Sequence, residues 1–263
     1  MREYFDGPLE VLRWGRDEIE KFCVSAQAFV DGYKPELYSE VDFAAGETAH
    51  GYIVREEPPD ELRRLGYYVV TNLRNALDQA MHAASLRLGT TREKKTNFPA
   101  AESPDNLARQ LERNSTYKGI PTELYPVINS FHPYWEAPEH PDGDTILRSL
   151  LDVANPNKHR SPVKIALLPH GVGIRAMIAV KSFQVKRVDE NKMELFRTVA
   201  GHPFKFDADI EITVAFDGGR WIDGKAAGVV FNLMADKVEG IITELRDETD
   251  RILLAKGQDA AHG

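Results

Sequence analysis

With 263 residues, 42% of them hydrophobic and 28% charged, the chain can bury a sizeable core, which excludes an intrinsically disordered segment. Its formal net charge of −8 argues against an extended nucleic-acid surface, though not against a small basic patch. The single cysteine, Cys23, excludes an intramolecular disulfide and a multi-cysteine metal site, and suits a reducing compartment. The N-terminal segment lacks the apolar core of a secretory signal, and no apolar run approaches the ~18 residues of a membrane span, so a cytoplasmic protein without membrane contact is expected.

Asp6-Gly7-Pro8 predicts a helix start, with proline pre-set for the first turn, and Gly32 predicts its stop. Between them Leu12, Ile19 and Ala26 recur every seven residues, with Phe22 and Phe29 beside them. Residues 36–43 and 50–55 predict two short strands joined by a hairpin turn at Ala44 to Glu47. Pro58-Pro59-Asp60 introduces a helix over 60–88. In it Leu62, Leu65, Val69, Leu73, Ala76 and Leu77 share one apolar arc, while Arg74, Asn75, Asp78, Gln79 and His82 fall opposite. A loop over 96–104 and two shorter helices near 104–114 and 121–131 follow. Asp144, at the end of an acidic loop, caps a helix ending near Ala154, which Pro156 breaks, leaving Asn157 to Arg160 in an irregular turn.

After Pro162 the composition changes. Residues 163–168, 172–188, 193–199 and 208–216 have strand length and β-branched content. With turns at His170-Gly171 and Asp189 to Asn191 they predict an antiparallel meander. A helix over about 229–254 closes the chain, and the segment from Lys256 to Gly263 is expected to fray. The expected fold is α+β: a helical part over 1–160, an antiparallel sheet of about four to five strands, and a long C-terminal helix packed on the sheet. Because that helix must cover the sheet, residues 1–263 are expected to form a single integrated domain.

Two polar segments stand out as candidate chemistry. On the helix, Arg74, Asp78 and His82 are spaced by four, so each can reach the next. The alternative is an ordinary solvated helix face. Asn75, Asp78 and Gln79 are nevertheless not the residues that helix propensity selects, so a partner is expected. Asn157-Lys158-His159-Arg160 could serve merely as cations at a helix C-terminus, although such a cap needs only one or two of them. Asp78 could orient His159 or pair with Arg160, leaving Arg74 to face an anion.

The remaining signals are weaker. The acidic, histidine-containing stretch around His132, Glu136, Glu139, His140, Asp142 and Asp144 has no metal-ligand spacing. Gly171-Val172-Gly173 reads as a hairpin rather than a phosphate loop, and Ser130 and Ser149 lack a nucleophile signature. No metal and no cofactor is expected.

These segments resemble a broad family of uncharacterised bacterial and phage proteins. Its members carry a helix reading roughly L-R-S-A-L-D-H-L, then F-P-I, Q-P-Y and N-x-x-D-K-H-R. The corresponding segments here are Leu73 to Gln79, Phe98-Pro99-Ala100, His132-Pro133-Tyr134 and Asn155 to Arg160. The helix motif of that family is similar to one in the HEPN superfamily. The resemblance to its ribonuclease members implies metal-independent RNA cleavage, with an arginine and a histidine near a dimer interface. The chain departs from the pattern at Gln79, which replaces the histidine, and at Asn157, which replaces the aspartate. Gln79 cannot shuttle a proton, so a catalytic role would fall to His159, with Arg74 or Arg160 steadying phosphate charge.

Three function classes follow. The first, and the one the residues favour, is a non-catalytic binding or interaction module in which an Arg-Asp-His cluster joins two helices. The second is a HEPN-like endoribonuclease using Arg74, Asp78 and His159. The third is an enzyme or sensor for a small anion or nucleotide, which Arg74, Lys158 and Arg160 could hold, with Asn75, Gln79, His82 and Asn157 as further candidate binding residues. RNA or a small anionic ligand is the partner that the second and third imply. The apolar stripe on the last helix could also serve a homodimer, although packing against the sheet accounts for it.

Overall fold

The helix that follows Pro58-Pro59 is the centre of the molecule. A computed structural model describes residues 3–54, 57–91, 95–157, 163–175, 182–189, 192–201 and 207–262. In it helix α2 spans Asp60–Arg87, with Asp60 and Glu61 in the first turn, where carboxylates favour the helix dipole. It is buried on most of its circumference. Leu62, Val69, Leu73, Ala76, Leu77 and Met81 are all sealed from solvent, and Arg74 is buried with them.

Helix α1 (Glu3–Gly32) packs along α2. It starts three residues before the expected Asp6 and carries Pro8 inside. Phe5 is 1% exposed in the core, and anchoring that ring requires the extra turn. The C-terminal helix α6, Ala227–His262, packs on α1 and α2, and touches the sheet through the last strand. Phe231 joins the layers: its ring meets Phe22 of α1 edge-on at 5.1 Å and Phe216 of the last strand at 5.2 Å. Where the sequence predicts fraying from Lys256, the helix is drawn on to His262. The helix continues, and Lys256 reaches Glu123 at 2.7 Å.

Between these helices lie α3 (Pro104–Arg113), a 3-10 turn at Thr122–Leu124 running into α4 (Tyr125–Ser130), and α5 (Thr145–Asn157). Helix α5 packs on α2 and α6. As expected, Asp144 caps it, accepting a 2.8 Å bond from Leu147 N–H. It ends at Asn157, three residues beyond the expected Ala154, with Pro156 in its last turn.

The strands are β1 (Glu36–Asp42), β2 (Glu47–Ile53), β3 (Ile165–Arg175), β4 (Ser182–Asp189), β5 (Lys192–Val199) and β6 (Asp207–Phe216), all paired antiparallel. They form two sheets rather than one meander, with orders β1-β2-β5-β4 and β3-β6. The early hairpin therefore shares a sheet with late strands, so the composition change near residue 161 does not divide the strands. Gly171-Val172-Gly173 lies within β3, not at a hairpin. The register slips there between Pro169 and Gly171, beside a proline that has no N–H to give the ladder.

In the four-stranded sheet the β2–β5 register shifts between His50 and Gly51. A Cβ on Gly51 would lie 2.0 Å from Met193 O, so only glycine fits that approach. His50 is buried and stacks on Phe196, with ring centroids 4.8 Å apart. Its Nδ1 lies 2.8 Å from Ser39 Oγ and its Nε2 2.9 Å from Thr198 Oγ1. Burial lowers the His50 pKa below its ordinary 6.5. The unfolded chain then binds more protons than the folded one just below pH 6.5, so stability from this residue is lost as pH falls below that value. A thermal-melt series from pH 7.5 to 5.5 should show a falling midpoint in the wild type and a flatter profile in His50→Gln.

Candidate functional site

Residues 95–103, which follow α2, have no regular structure of their own and are fastened by side chains from two helices. Arg74 Nε donates to Asp78 Oδ2 at 3.2 Å, and its Nη2 sits 2.9 Å from Asp78 Oδ1. The same Nη2 donates to Phe98 O at 2.8 Å, and Phe98 N–H donates to Asp78 Oδ1 at 2.9 Å. One Arg–Asp pair, four residues apart on one helix face, thus grips both polar groups of the Phe98 backbone. The Phe98 ring is fully buried behind it, tilted against Phe131.

A second, parallel grip comes from α5. Arg148 Nε donates to Ala101 O at 3.1 Å, and Nη2 donates to Glu102 Oε1 at 2.6 Å. Its Nη1 donates to Asp152, again four residues on. The face of Arg148 lies over the ring of Trp135, which Arg220 also approaches. Sequence inspection missed Arg148, although its spacing to Asp152 repeats that of Arg74 to Asp78 and could have found it.

The predicted ladder on α2 is half realised. Arg74 does reach Asp78. His82 turns instead to the same loop, with Nδ1 2.7 Å from the buried Thr96 hydroxyl. Asn75 is half-buried. Gln79 is exposed on the side facing α1, its Oε1 3.6 Å from the place a Cβ on Gly7 would occupy. Tyr117 stands beside the clasp: burial raises its phenol pKa, and the Arg74 charge opposes that rise. Asn157 is the last residue of α5. Lys158, His159 and Arg160 lie outside the described residues, as does the Asn157 side chain.

The clasped segment leads to a cleft that sequence inspection did not single out. Ala101 N–H donates to Pro133 O at 3.0 Å, which fixes the turn containing His132. His132 has φ +49°, the one positive φ outside glycine among the described residues, and its carbonyl accepts from both Tyr134 N–H and Asp144 N–H. Gly143 closes the turn, where a Cβ would lie 2.4 Å from Trp135 C.

Asp142 Oδ2 lies 2.6 Å from His132 Nδ1 and accepts from the Tyr134 hydroxyl at 3.1 Å. Desolvation and the Asp142 carboxylate push the Tyr134 phenol up to about 12. Desolvation works against the Asp142 charge, but hydrogen bonds from Tyr134 and His132 prevail and hold its pKa below the usual carboxylate value. Between this turn and one face of α6 runs a cleft of about 740 Å³. Among the described residues, no group of three His, Cys, Asp or Glu side chains could hold a metal ion. Nor is any helix among them long and apolar enough to cross a membrane.

Compared with models of protein families, with curated proteins and with solved structures, the chain matches none.

Removing Arg74 would leave Asp78 without its buried counter-charge and Phe98 O without its donor. Arg74→Ala should lower stability by roughly 2–4 kcal/mol in denaturant titration, whereas Gln79→Ala, on an exposed side chain, should stay within about 0.5 kcal/mol. An Arg74→Ala variant as stable as the wild type would remove the clasp from the account.

Proposed function

We propose that the chain is a non-catalytic binding module of the cytoplasm, in which the Arg74–Asp78 pair is a structural clasp. The observation that carries this is the engagement of Arg74. It is buried, and its guanidinium is committed to Asp78 and to the Phe98 carbonyl. An arginine that steadies phosphate charge in a transition state needs donors directed into a cleft that substrate can enter. Here Nε and Nη2 are directed to the Asp78 carboxylate and to the backbone carbonyl of Phe98.

Two further features support the same conclusion. Gln79 stands where the resembling family has histidine, and an amide cannot take or give a proton near neutral pH. The cleft beside His132 offers the concave, partly apolar surface that a binding module requires, and it lies at the end of the loop that the clasp holds.

The discriminating assay incubates the full chain with single-stranded RNA in chelator. A binding module leaves the RNA intact in the wild type and in Arg74→Ala alike, and the substitution shows only as lost stability. Cleavage by the wild type that Arg74→Ala abolishes without lowering the melting temperature would establish the ribonuclease alternative instead.

A further inference from the structure

We infer that the cleft between the His132 turn and α6 takes a small organic cation, an amine or amidine carried on an apolar body. The inference rests on the chain being a binding module and names the ligand class of that module.

Consider first the space itself. The α6 face that lines the cleft presents Leu233, Lys237, Gly240, Ile241 and Glu244 at three- and four-residue spacing. Gly240 lies well inside a helix, where glycine costs roughly 0.5–1 kcal/mol relative to alanine. No neighbour requires its lack of a side chain, because a Cβ added there would meet nothing within 4 Å. Its effect is to leave the middle of this helix face open. The lining beside it is apolar, formed by the buried Ile241 and Phe131 and by the partly exposed Leu233.

Charge then selects the ligand. Asp142, Asp144, Asp236 and Glu244 line the cleft against one cation, Lys237. Lys237 is bound to Asp144 at 2.6 Å, and Asp236 to Arg16 of α1 at 2.9 Å. Glu244 is exposed and makes no ion pair among the described residues, so its charge is available to a ligand. An anion entering here would meet uncompensated carboxylate; a cation would complete the balance.

His132 adds direction. Asp142 faces its Nδ1, so that nitrogen carries a proton and Nε2 is the ring atom left to a ligand. No described residue occupies Nε2. An N–H donor on a planar apolar body could therefore meet Glu244 from α6 and His132 from the turn.

The test uses three probes of one shape on the full chain: benzamidine, benzoate and benzyl alcohol, with binding followed by titration calorimetry or ligand-observed NMR. Benzamidine should bind the wild type, while benzoate should not and benzyl alcohol should bind at least about tenfold more weakly. Glu244→Gln, at an exposed position, should weaken benzamidine at least about fivefold. Lys237→Gln should strengthen it, since Asp144 is then released. Gly240→Leu should block binding while keeping or raising the melting temperature, because it fills open space in a helix interior. No benzamidine binding, or binding indifferent to Glu244→Gln and Gly240→Leu, overturns the site. Benzoate binding in place of benzamidine overturns the cation assignment and leaves the binding-module proposal standing, whereas RNA cleavage in chelator overturns that proposal itself.

Discussion

A guanidinium and a carboxylate one helical turn apart on α2 hold both backbone polar groups of Phe98, and much of the candidate site hangs from that contact. The physical constraint is familiar. A loop that crosses buried territory carries N–H and C=O groups that water cannot reach, and each must find a partner. Here Asp78 takes the Phe98 N–H and Arg74 the Phe98 carbonyl, while the two side chains neutralise each other. Burying the Phe98 ring is thereby made compatible with burying its backbone.

From that point the order passes along a chain of contacts. Arg148 of α5 secures Ala101 O, and Ala101 N–H secures Pro133 O. The carbonyl of His132, beside it, gathers the amides of Tyr134 and Asp144, and Asp144 in turn caps α5. Helix α5, the His132 turn and the cleft wall are thus coupled to a pair on α2. The left-handed backbone of His132 is sustained by those bonds, as strained residues are when their surroundings over-determine them.

Much of the fold was legible in the sequence because its signals are local. The caps, prolines and apolar arcs placed α2, α5 and the β1–β2 hairpin within a few residues. Two features were not legible. The pairing of β2 with β5 spans more than a hundred residues, and nothing local announces such a pairing. The fate of Arg74 was also hidden. Opposite the apolar arc its expected partner is the second polar segment or an anion, yet the loop from Thr96 to Glu102 covers that side, and the loop's own sequence shows no periodicity to reveal it. The helical spacing did announce the Arg74–Asp78 pair, though not its partner. The cleft was the least legible element. It is made by a turn whose geometry depends on Gly143, and by a helix face whose key residue, Gly240, is defined by what it lacks.

The clasp's support of the cleft is the central claim, and amide hydrogen exchange reads it directly. In the wild type the Phe98 amide should exchange slowly. In Asp78→Ala it should speed up by roughly 100-fold or more, corresponding to roughly 3 kcal/mol of lost local protection. The amides of Ala101 and Asp144 should accelerate with it, while that of Arg197, paired on both sides in β5, should change only as far as global stability does. A Phe98 amide that is unprotected in the wild type, or Ala101 and Asp144 amides that do not respond to Asp78→Ala, would contradict it.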